Sequence, residues 1–270
     1  MAETFNEKYI IEQRYLSAPS KRRSGLHLSP GVKFVVAHDT GNPGSTAAGN
    51  VAYYERTRDA ESASAHIFVD DRQIIECIPA LTAAPEKAWH VLYRVDTDNR
   101  MYGYNANDAA IGVEYCFGPK IDADEAYRKY VWVIASICHR FGLDPATAVV
   151  GHAFLDPQRK TDPGTGLGQS RRSYDQLLRD VPLEYAACLS APAQPAPYRF
   201  TQQAGAVQVA AKLNLRKGAP NRMADVVQAV PAGTRLDYVG WVSDGELLNG
   251  NSKWYRDARG NYFWSGATLA

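Results

Sequence analysis

The stretch Lys33-Phe34-Val35-Val36-Ala37-His38 decides the fold class of the amino-terminal part of the chain. It is a short apolar run that stops at a polar cluster, Asp39-Thr40-Gly41-Asn42-Pro43-Gly44. An apolar run of this length, bounded by turn-forming residues, is typical of a buried β-strand, and the cluster predicts a turn. The pattern therefore predicts a strand that delivers the imidazole of His38 to its exposed end.

Strand-like and helix-like segments alternate after this run. The clearest helix covers residues 123–141, because apolar side chains recur there at three- and four-residue steps and Gly142 follows as a stop signal. Asp122 and Glu125 have the spacing of a capping box at its start. Shorter helices are predicted at 47–58 and 173–180, and strands at 65–69, 73–78 and 110–117. This alternation predicts an α/β fold with a central mixed β-sheet flanked by helices.

The composition changes at residues 191–197, which read Ala-Pro-Ala-Gln-Pro-Ala-Pro and can neither continue a helix nor join a central strand. Short strand-like segments separated by glycine-containing turns follow at 213–216, 234–239, 253–256 and 261–264. They predict a small all-β domain. The predicted organisation is an N-terminal extension at 1–29, the α/β domain at 30–188, a linker at 189–204 and the all-β domain at 205–270.

Composition and charge exclude several classes of protein. The chain is 45% hydrophobic and 22% charged, and its formal net charge is +1, so no broad field draws it to nucleic acid. No apolar stretch is long enough for a membrane span, and residues 1–20 lack the pattern of a signal peptide. We therefore expect no nucleic-acid partner, no stable membrane insertion and synthesis in the cytoplasm. The four widely spaced cysteines are expected to be reduced core thiols.

The stretch from Gly151 to Gly164 carries an imidazole, an ammonium group and a carboxylate within one predicted loop, at His152, Lys160 and Asp162. Neutral imidazoles and carboxylates suit zinc, which in catalytic sites commonly has three protein ligands and an open fourth position. His38, His152 and Asp162 would supply that set. Spacing alone leaves other triads open, because the chain has six histidines and many carboxylates.

Four motifs in order resemble the N-acetylmuramoyl-L-alanine amidase family, which includes phage endolysins, AmpD-type recycling enzymes and peptidoglycan recognition proteins. They are Val36-Ala37-His38-Asp39-Thr40, Ala88-Trp89-His90, Ile111-Gly112-Val113-Glu114, and Gly151-His152 through Lys160-Thr161-Asp162-Pro163-Gly164. The resemblance covers residues 30–182. It implies zinc as the cofactor and peptidoglycan as the partner. After Gly164 the chain departs from many relatives, because it lacks the aromatic residue that they have within the next few positions.

The resemblance also implies roles for individual residues. His38, His152 and Asp162 would bind Zn²⁺, Glu114 would be the catalytic acid and base, and Lys160 would stabilise the reacting oxygen. Strand alternation supports a catalytic role for Glu114, since it places Glu114 and Cys116 on the opposite face of the sheet from Val113 and Tyr115, so that Glu114 can point towards a cleft. The alternative interpretation is that Glu114 is a solvent-facing glutamate on a strand.

The roles of the remaining histidines, of Trp89 and of residues 93–107 are less sharply predicted. Trp89 and His90 match a position near the substrate, and His90 is either a substrate contact or a structural hydrogen-bonding group. His66 is expected to be structural, whereas His27 and His139 are expected to lie outside the site. Residues 93–107 form either a substrate loop or a solvated insertion.

The segment from about residue 207 resembles a bacterial Src-homology-3-like (SH3-like) barrel, which in cell-wall enzymes commonly attaches the catalyst to peptidoglycan. Its aromatic residues offer flat surface for a ligand, but at least half are expected in the core: Trp241, Trp254, Tyr255, Tyr262 and Trp264.

The sequence therefore predicts a peptidoglycan hydrolase that cleaves the amide bond between N-acetylmuramic acid and L-alanine. A wall-binding barrel favours a lytic enzyme, either an endolysin or an interbacterial effector, that acts on the cell wall after release or injection. The alternatives are a cytoplasmic recycling amidase, a non-catalytic peptidoglycan-binding protein and a zinc hydrolase for another amide. The sequence does not specify an oligomeric state.

Overall fold

Residues 5–190 and 198–269 are described by the computed structural model, in which the chain divides into two units, Met1–Pro195 and Ala196–Ala270. The proline-rich stretch 191–197 lies outside the described residues. The predicted linker 189–204 is too long at both edges, because a helix ends at Ser190 and a strand begins at Phe200. The strand was not predicted because its first half is largely exposed and lacks apolar alternation.

A six-stranded mixed sheet forms the centre of the first unit within the described residues. The strand order is β1-β4-β3-β5-β2-β6, and all neighbours are parallel except β3 and β4. The α/β class predicted from the sequence is confirmed. The strands are β1 (Ile11–Gln13), β2 (Phe34–Asp39), β3 (Ile67–Val69), β4 (Ile74–Glu76), β5 (Ala110–Tyr115) and β6 (Val149–Gly151).

The helices of the first unit follow the predicted pattern and add several short ones. They are α1 (Ala47–Arg56), α2 (Thr97–Tyr102), α3 (Ala106–Ala109), α4 (Ala123–Phe141), α5 (His152–Leu155), α6 (Gly164–Gln169) and α7 (Tyr174–Ser190). Helix α4 has the predicted bounds: the Asp122 carboxylate accepts hydrogen bonds from two backbone N–H groups, and Gly142 ends the helix in the left-handed conformation. Helix α7 runs ten residues beyond the predicted end at 180 and contains Pro182.

The segment 1–29, predicted as an N-terminal extension, belongs to the first unit. Strand β1 pairs with β4, with Ile11 opposite Ile74, and Phe5 is buried in the main core. The Arg23 guanidinium also holds the Glu86 carboxylate in two hydrogen bonds of 2.7 Å. The prediction was wrong because β1 has only three residues, too few to show a strand period.

The two faces of the sheet are covered differently. Helices α4 and α7 pack on one face, where Ala37, Val113 and Tyr115 belong to the main core. On the other face, α1 packs near Cys116, and α3 packs near Val36. Because side chains alternate along a strand, His38 and Glu114 also point to this second face, beyond the apolar residues of their strands. All four cysteines are free and buried, as predicted.

The second unit is an all-β domain, as predicted. Its described residues form a seven-stranded sheet in the order β13-β7-β10-β11-β12-β8-β9, with every pairing antiparallel. This architecture agrees with the predicted SH3-like domain. The strands are β7 (Phe200–Val209), β8 (Leu213–Lys217), β9 (Val226–Val230), β10 (Arg235–Val242), β11 (Trp254–Arg256), β12 (Asn261–Trp264) and β13 (Thr268–Leu269), with a 3₁₀ turn at Ser265–Ala267.

The aromatic side chains of the second unit divide between its core and its surface. Trp254, Tyr255 and Tyr262 are buried, whereas Trp241 and Trp264 are partly exposed. The expectation that at least half of these rings are internal is confirmed. Within the described residues of both units, no helix has the length and apolar character needed to cross a bilayer.

Candidate active site

Two parallel strands bring His38 and Glu114 side by side. Strand β2 pairs with β5 in a register that places His38 opposite Glu114, so the two side chains emerge on the same face at the carboxyl ends of their strands. The phenol of Tyr130 on α4 donates a hydrogen bond of 2.9 Å to the carbonyl oxygen of His38. The backbone that carries His38 is thus fixed from the opposite face of the sheet.

His152 and Asp162 come from the segment that follows the neighbouring strand. Strand β6 pairs with β2, with Gly151 opposite Ala37, and His152 begins α5 directly after it. The chain then loops back, and the N–H of Ala153 donates a hydrogen bond of 2.8 Å to the carbonyl oxygen of Asp162. This loop returns the Asp162 carboxylate to the ends of β2 and β6.

Both imidazoles converge on one carboxylate oxygen. Nδ1 of His38 lies 2.8 Å from Oδ2 of Asp162, and Nδ1 of His152 lies 3.1 Å from the same atom. One ligand atom from each residue lies within 4.8 Å of the others. Two imidazole nitrogens and a carboxylate oxygen that face a common point form a donor set of the kind that binds a divalent transition metal ion. The three residues predicted as ligands are therefore brought together.

The electrostatic environment favours the protonation states that metal binding requires. Burial lowers the pKa of His38 to about 4, although Asp162 opposes the shift. Burial alone would raise the pKa of the Asp162 carboxyl, but hydrogen bonds to His152 and His38 lower it well below its ordinary value. Near neutral pH the site therefore offers a neutral His38 imidazole and an ionised carboxylate.

Glu114 lies beside this donor set and has an incomplete hydrogen-bond set. Its Oε2 atom is buried and has no hydrogen-bond partner among the described residues. Burial, followed by the charges of Asp162 and Asp39, raises the pKa of Glu114 well above its ordinary value, while Lys160 opposes the shift. A cleft carboxyl group with a raised pKa and a free oxygen is suited to proton transfer.

These groups line a cleft with a volume of about 480 Å³. The cleft also contains Lys160, Trp89 and His90, so all the predicted site residues contribute to its wall. Thr165 lies in the wall, in the part of the chain that departs from the family pattern by lacking an aromatic residue. The substrate contacts of Trp89 and His90 remain predictions.

His90 also contacts the donor set, which the sequence did not predict. Its Nδ1 lies 3.0 Å from Nε2 of His38, and its ring is edge-on to the ring of His38. Burial, with further contributions from His38 and His66, lowers the pKa of His90 well below its ordinary value. His66 is structural, as predicted: its Nδ1 accepts a hydrogen bond from the N–H of Gly112.

Asp39 is a further residue of the site that sequence reasoning did not single out. Its carboxylate accepts hydrogen bonds from the N–H groups of Gly41, at 3.0 Å, and Gly166, at 2.7 Å. It thereby ties α6, which follows Asp162, to the end of β2. Its position directly after His38, in a polar cluster that ends a buried strand, was the available signal.

Residues 93–107 do not contribute to the described wall of the cleft. They contain α2 and the start of α3, and the ring of Tyr102 stacks on Phe34 with a centroid distance of 4.1 Å. The buried Asp98 carboxylate accepts a hydrogen bond of 2.7 Å from the N–H of Ala106 and ties α2 to α3. The segment nevertheless exposes Tyr93, Met101 and Tyr104, and both interpretations, a substrate loop and a solvated insertion, remain predictions.

Comparisons with known proteins place this geometry in a family. A family profile described as N-acetylmuramoyl-L-alanine amidase matches residues 28–165. The N-acetylmuramoyl-L-alanine amidase BlyA of Bacillus subtilis is 32% identical over 173 residues, which cover 62% of this chain and 45% of that protein. CwlL of Bacillus licheniformis, also an N-acetylmuramoyl-L-alanine amidase, is 28% identical over 186 residues, which cover 62% of this chain and 47% of that protein. The chain thus spans about half the length of these curated relatives.

Solved structures share the fold of the first unit. The catalytic domain of XlyA is 23% identical with a TM-score of 0.51, and the match covers 64% of this chain and 99% of that chain. The Staphylococcus aureus hydrolase AmiA, solved in complex with its ligand, is 24% identical with a TM-score of 0.53, and the match covers 66% of this chain and 83% of that chain. The profile match to residues 28–165 covers half of the sequence, and the chain therefore belongs to the N-acetylmuramoyl-L-alanine amidase family.

Proposed function

We propose that the first unit hydrolyses the amide bond between N-acetylmuramic acid and the L-alanine of the peptidoglycan stem peptide. The observation that carries the proposal is the convergence of His38, His152 and Asp162 beside Glu114 in one cleft. The family profile and the amidase names of the Bacillus relatives support the choice of substrate.

We further propose that the metal is zinc, held by Nδ1 of His38, Nδ1 of His152 and a carboxylate oxygen of Asp162. Two neutral imidazoles and one carboxylate match the ligand chemistry of catalytic zinc sites, which leave a position open. When bound, zinc supplies Lewis acidity that polarises a carbonyl and makes water a nucleophile near neutral pH. The burial that keeps the His38 imidazole neutral favours this ligation.

Glu114 is the proposed proton carrier. Its ionised form accepts the proton that the attacking water loses, and its protonated form then donates a proton to the departing L-alanine nitrogen. The unpartnered Oε2 atom leaves one oxygen available for that exchange. The charge of Lys160 favours ionisation of Glu114, as would the charge of a bound cation.

Lys160 is proposed to face the negative charge that develops on the carbonyl oxygen. Its side chain lines the same cleft as Glu114, two residues before Asp162. A cation that is already in place when charge develops lowers the energy of the transition state more than that of the ground state. Trp89 and His90, in the cleft wall, are proposed to contact the substrate.

The second unit is proposed to attach the enzyme to the cell wall. Trp241 is partly exposed on β10, and the ammonium group of Lys253 lies 4.3 Å from the centroid of its ring. A tryptophan face flanked by a cation offers stacking and hydrogen bonding to a sugar strand or stem peptide. Such a module favours a lytic role on intact wall, as an endolysin or an effector, over recycling of soluble fragments.

Digestion of purified sacculi tests the proposal. We expect the wild-type chain with zinc to release stem peptides, and the EDTA-treated chain and the Glu114→Gln variant to release none above background. All three samples should fold, as judged by circular dichroism. If all three bind sacculi and release nothing, the chain is a binding protein; release that is insensitive to EDTA would contradict the metal mechanism.

A further inference from the structure

Four imidazoles form a row in the order His66, His90, His38 and His152, and the last three line the cleft. Successive ring centroids lie 5.6, 5.2 and 4.7 Å apart, and the interplanar angles are 74°, 84° and 77°. The proposed function uses only the last two as ligands. The contact between His90 and His38 remains without a role.

Metal ligation decides the direction of the hydrogen bond between these two rings. A ligand nitrogen must be unprotonated, so a neutral His38 that offers Nδ1 carries its proton on Nε2. The N–H group so formed needs an acceptor, and Nδ1 of His90 lies 3.0 Å from it. A neutral His90 that accepts at Nδ1 carries its own proton on Nε2. Metal-ligating histidines usually donate instead to a carboxylate, a carbonyl or water.

His90 is held in place from several directions. The N–H groups of His90 and Val91 donate to Oδ1 of Asn107 at 2.9 and 3.0 Å. The ring lies against Gly112, where an added Cβ would come within 2.9 Å of its Cγ and Nδ1 atoms. The ring of His66 packs edge-on to it and is itself fixed, because its Nδ1 accepts from the N–H of Gly112 and its Nε2 lies 2.9 Å from the carbonyl oxygen of Glu86.

We propose that His90 is a positioning residue for the metal site. Its Nδ1 accepts a hydrogen bond from Nε2 of His38, and this bond fixes the tautomer and the ring orientation that present Nδ1 of His38 to the metal. The inference rests on the proposed metal site, but not on the substrate. The missing side chain at position 112 is what lets the His90 ring approach the strand.

Two variants distinguish the effect of the hydrogen-bond acceptor of His90 on zinc binding from the effect of its side-chain volume. Asn at position 90 can place its Oδ1 near the site of the histidine Nδ1, whereas Leu fills similar space without an acceptor. Loss of the partner of a ligating histidine typically weakens metal binding about 10- to 100-fold. In chelator competition for zinc we therefore expect His90→Leu to weaken binding by about that factor, and His90→Asn to stay within about threefold of wild type.

Gly112→Ala provides an independent perturbation, because it keeps every hydrogen-bonding group and displaces the His90 ring. We expect it to weaken zinc binding as well. His27→Leu, at a histidine outside the cleft wall, is the matched control and should bind zinc like the wild type. Thermal unfolding of the zinc-free variants reports whether each one folds.

Nitrogen-15 NMR of the zinc-loaded wild type reads the tautomers directly and does not depend on any substitution. We expect His38 and His90 both to carry their proton on Nε2. A proton on Nδ1 of His90, or equal zinc affinities for folded His90→Leu and wild type, would overturn the inference. So would a wild-type chain that does not bind zinc. A chain that binds zinc with the expected tautomers but does not cleave sacculi would overturn only the proposed function.

Discussion

Replacing Glu114 by glutamine is expected to abolish hydrolysis and, at the same time, to stabilise the metal-free fold. Glutamine has the shape of glutamate but cannot take a proton from water. A positioned general base contributes about 10²- to 10⁴-fold to a rate, which corresponds to about 3–5 kcal/mol of transition-state stabilisation. We therefore expect the release of stem peptides by Glu114→Gln to fall by that factor.

The stability change follows from the environment of the Glu114 carboxyl group. Burial and the nearby Asp162 and Asp39 charges raise its pKa in the folded state, and its Oε2 atom lacks a partner. The folded chain therefore binds more protons than the unfolded chain above the ordinary pKa of 4.5. The free energy of unfolding of the wild type therefore falls as the pH rises above 4.5, by up to about 1.4 kcal/mol per pH unit. Glutamine does not titrate, so the stability advantage of the variant over the wild type should grow as the pH rises above 4.5.

The assay combines peptidoglycan digestion in the presence of zinc with urea unfolding in the presence of EDTA. Glu76→Gln is a matched control on another strand of the same sheet, because the Glu76 carboxylate accepts hydrogen bonds from the N–H groups of Ala80 and Leu81 and from Thr82. Glutamine would leave some of these donors unpaired, so we expect this variant to lose about 1–3 kcal/mol of stability. Its activity per folded molecule should match that of the wild type.

Two results would refute this reasoning about Glu114. One is a Glu114→Gln variant that retains more than about a tenth of the wild-type rate, since a general base contributes at least about 10²-fold. The other is a metal-free Glu114→Gln variant that is less stable than the metal-free wild type at neutral pH.

Further predictions concern the buried histidines, α6 and the second unit. Burial lowers the pKa of His38 and of His66 from 6.5 to about 4, so the metal-free chain should lose stability as the pH falls from 6.5 to about 4. In urea unfolding, His66→Gln should reduce the slope of the free energy of unfolding against pH by up to about 1.4 kcal/mol per pH unit. Gly166→Ala should cost about 1–3 kcal/mol because its Cβ would meet Phe117 at 2.7 Å, whereas Gly168→Ala, with nothing within 4 Å, should be neutral or stabilising. Trp241→Ala should weaken co-sedimentation with sacculi several-fold while leaving hydrolysis of a soluble muramyl peptide unchanged.

Each of these predictions has an outcome that contradicts it. An unchanged pH slope in His66→Gln would mean that the imidazole titrates normally in the folded chain. Equal stabilities of Gly166→Ala and Gly168→Ala would show that α6 moves away from its neighbours at no cost. Equal losses of sedimentation and hydrolysis in Trp241→Ala would indicate a folding defect rather than a binding surface.

The sequence predicted best those elements that carry strong local signals. Helix α4 has a regular apolar period, a capping aspartate at Asp122 and a glycine stop at Gly142, and its bounds were predicted without error. Strand β2 was recognisable because a short apolar run ends at turn-forming residues. Strands β1 and β6 were not predicted, because each has three residues and depends on pairing with a neighbouring strand.

The site shows the same division between local and non-local information. The motifs around His38 and His152 identified the groups that converge in the cleft. The register that places His38 beside Glu114, and the hydrogen bond between His38 and His90, arise from contacts between segments that are distant in sequence. Asp39 was overlooked because the hydrogen bond that its carboxylate accepts from the N–H of Gly166 forms only when α6 folds back to the end of β2.

Digestion of purified peptidoglycan in ¹⁸O-labelled water, followed by mass spectrometry, tests the central claim most directly. If the chain is a zinc-dependent amidase, the wild type with zinc releases stem peptides that begin with an unlabelled L-alanine amine. The lactyl carboxylate left on each muramic acid then carries one ¹⁸O atom. Label in a peptide carboxylate or at a sugar reducing end, or no zinc-dependent products, would contradict the account.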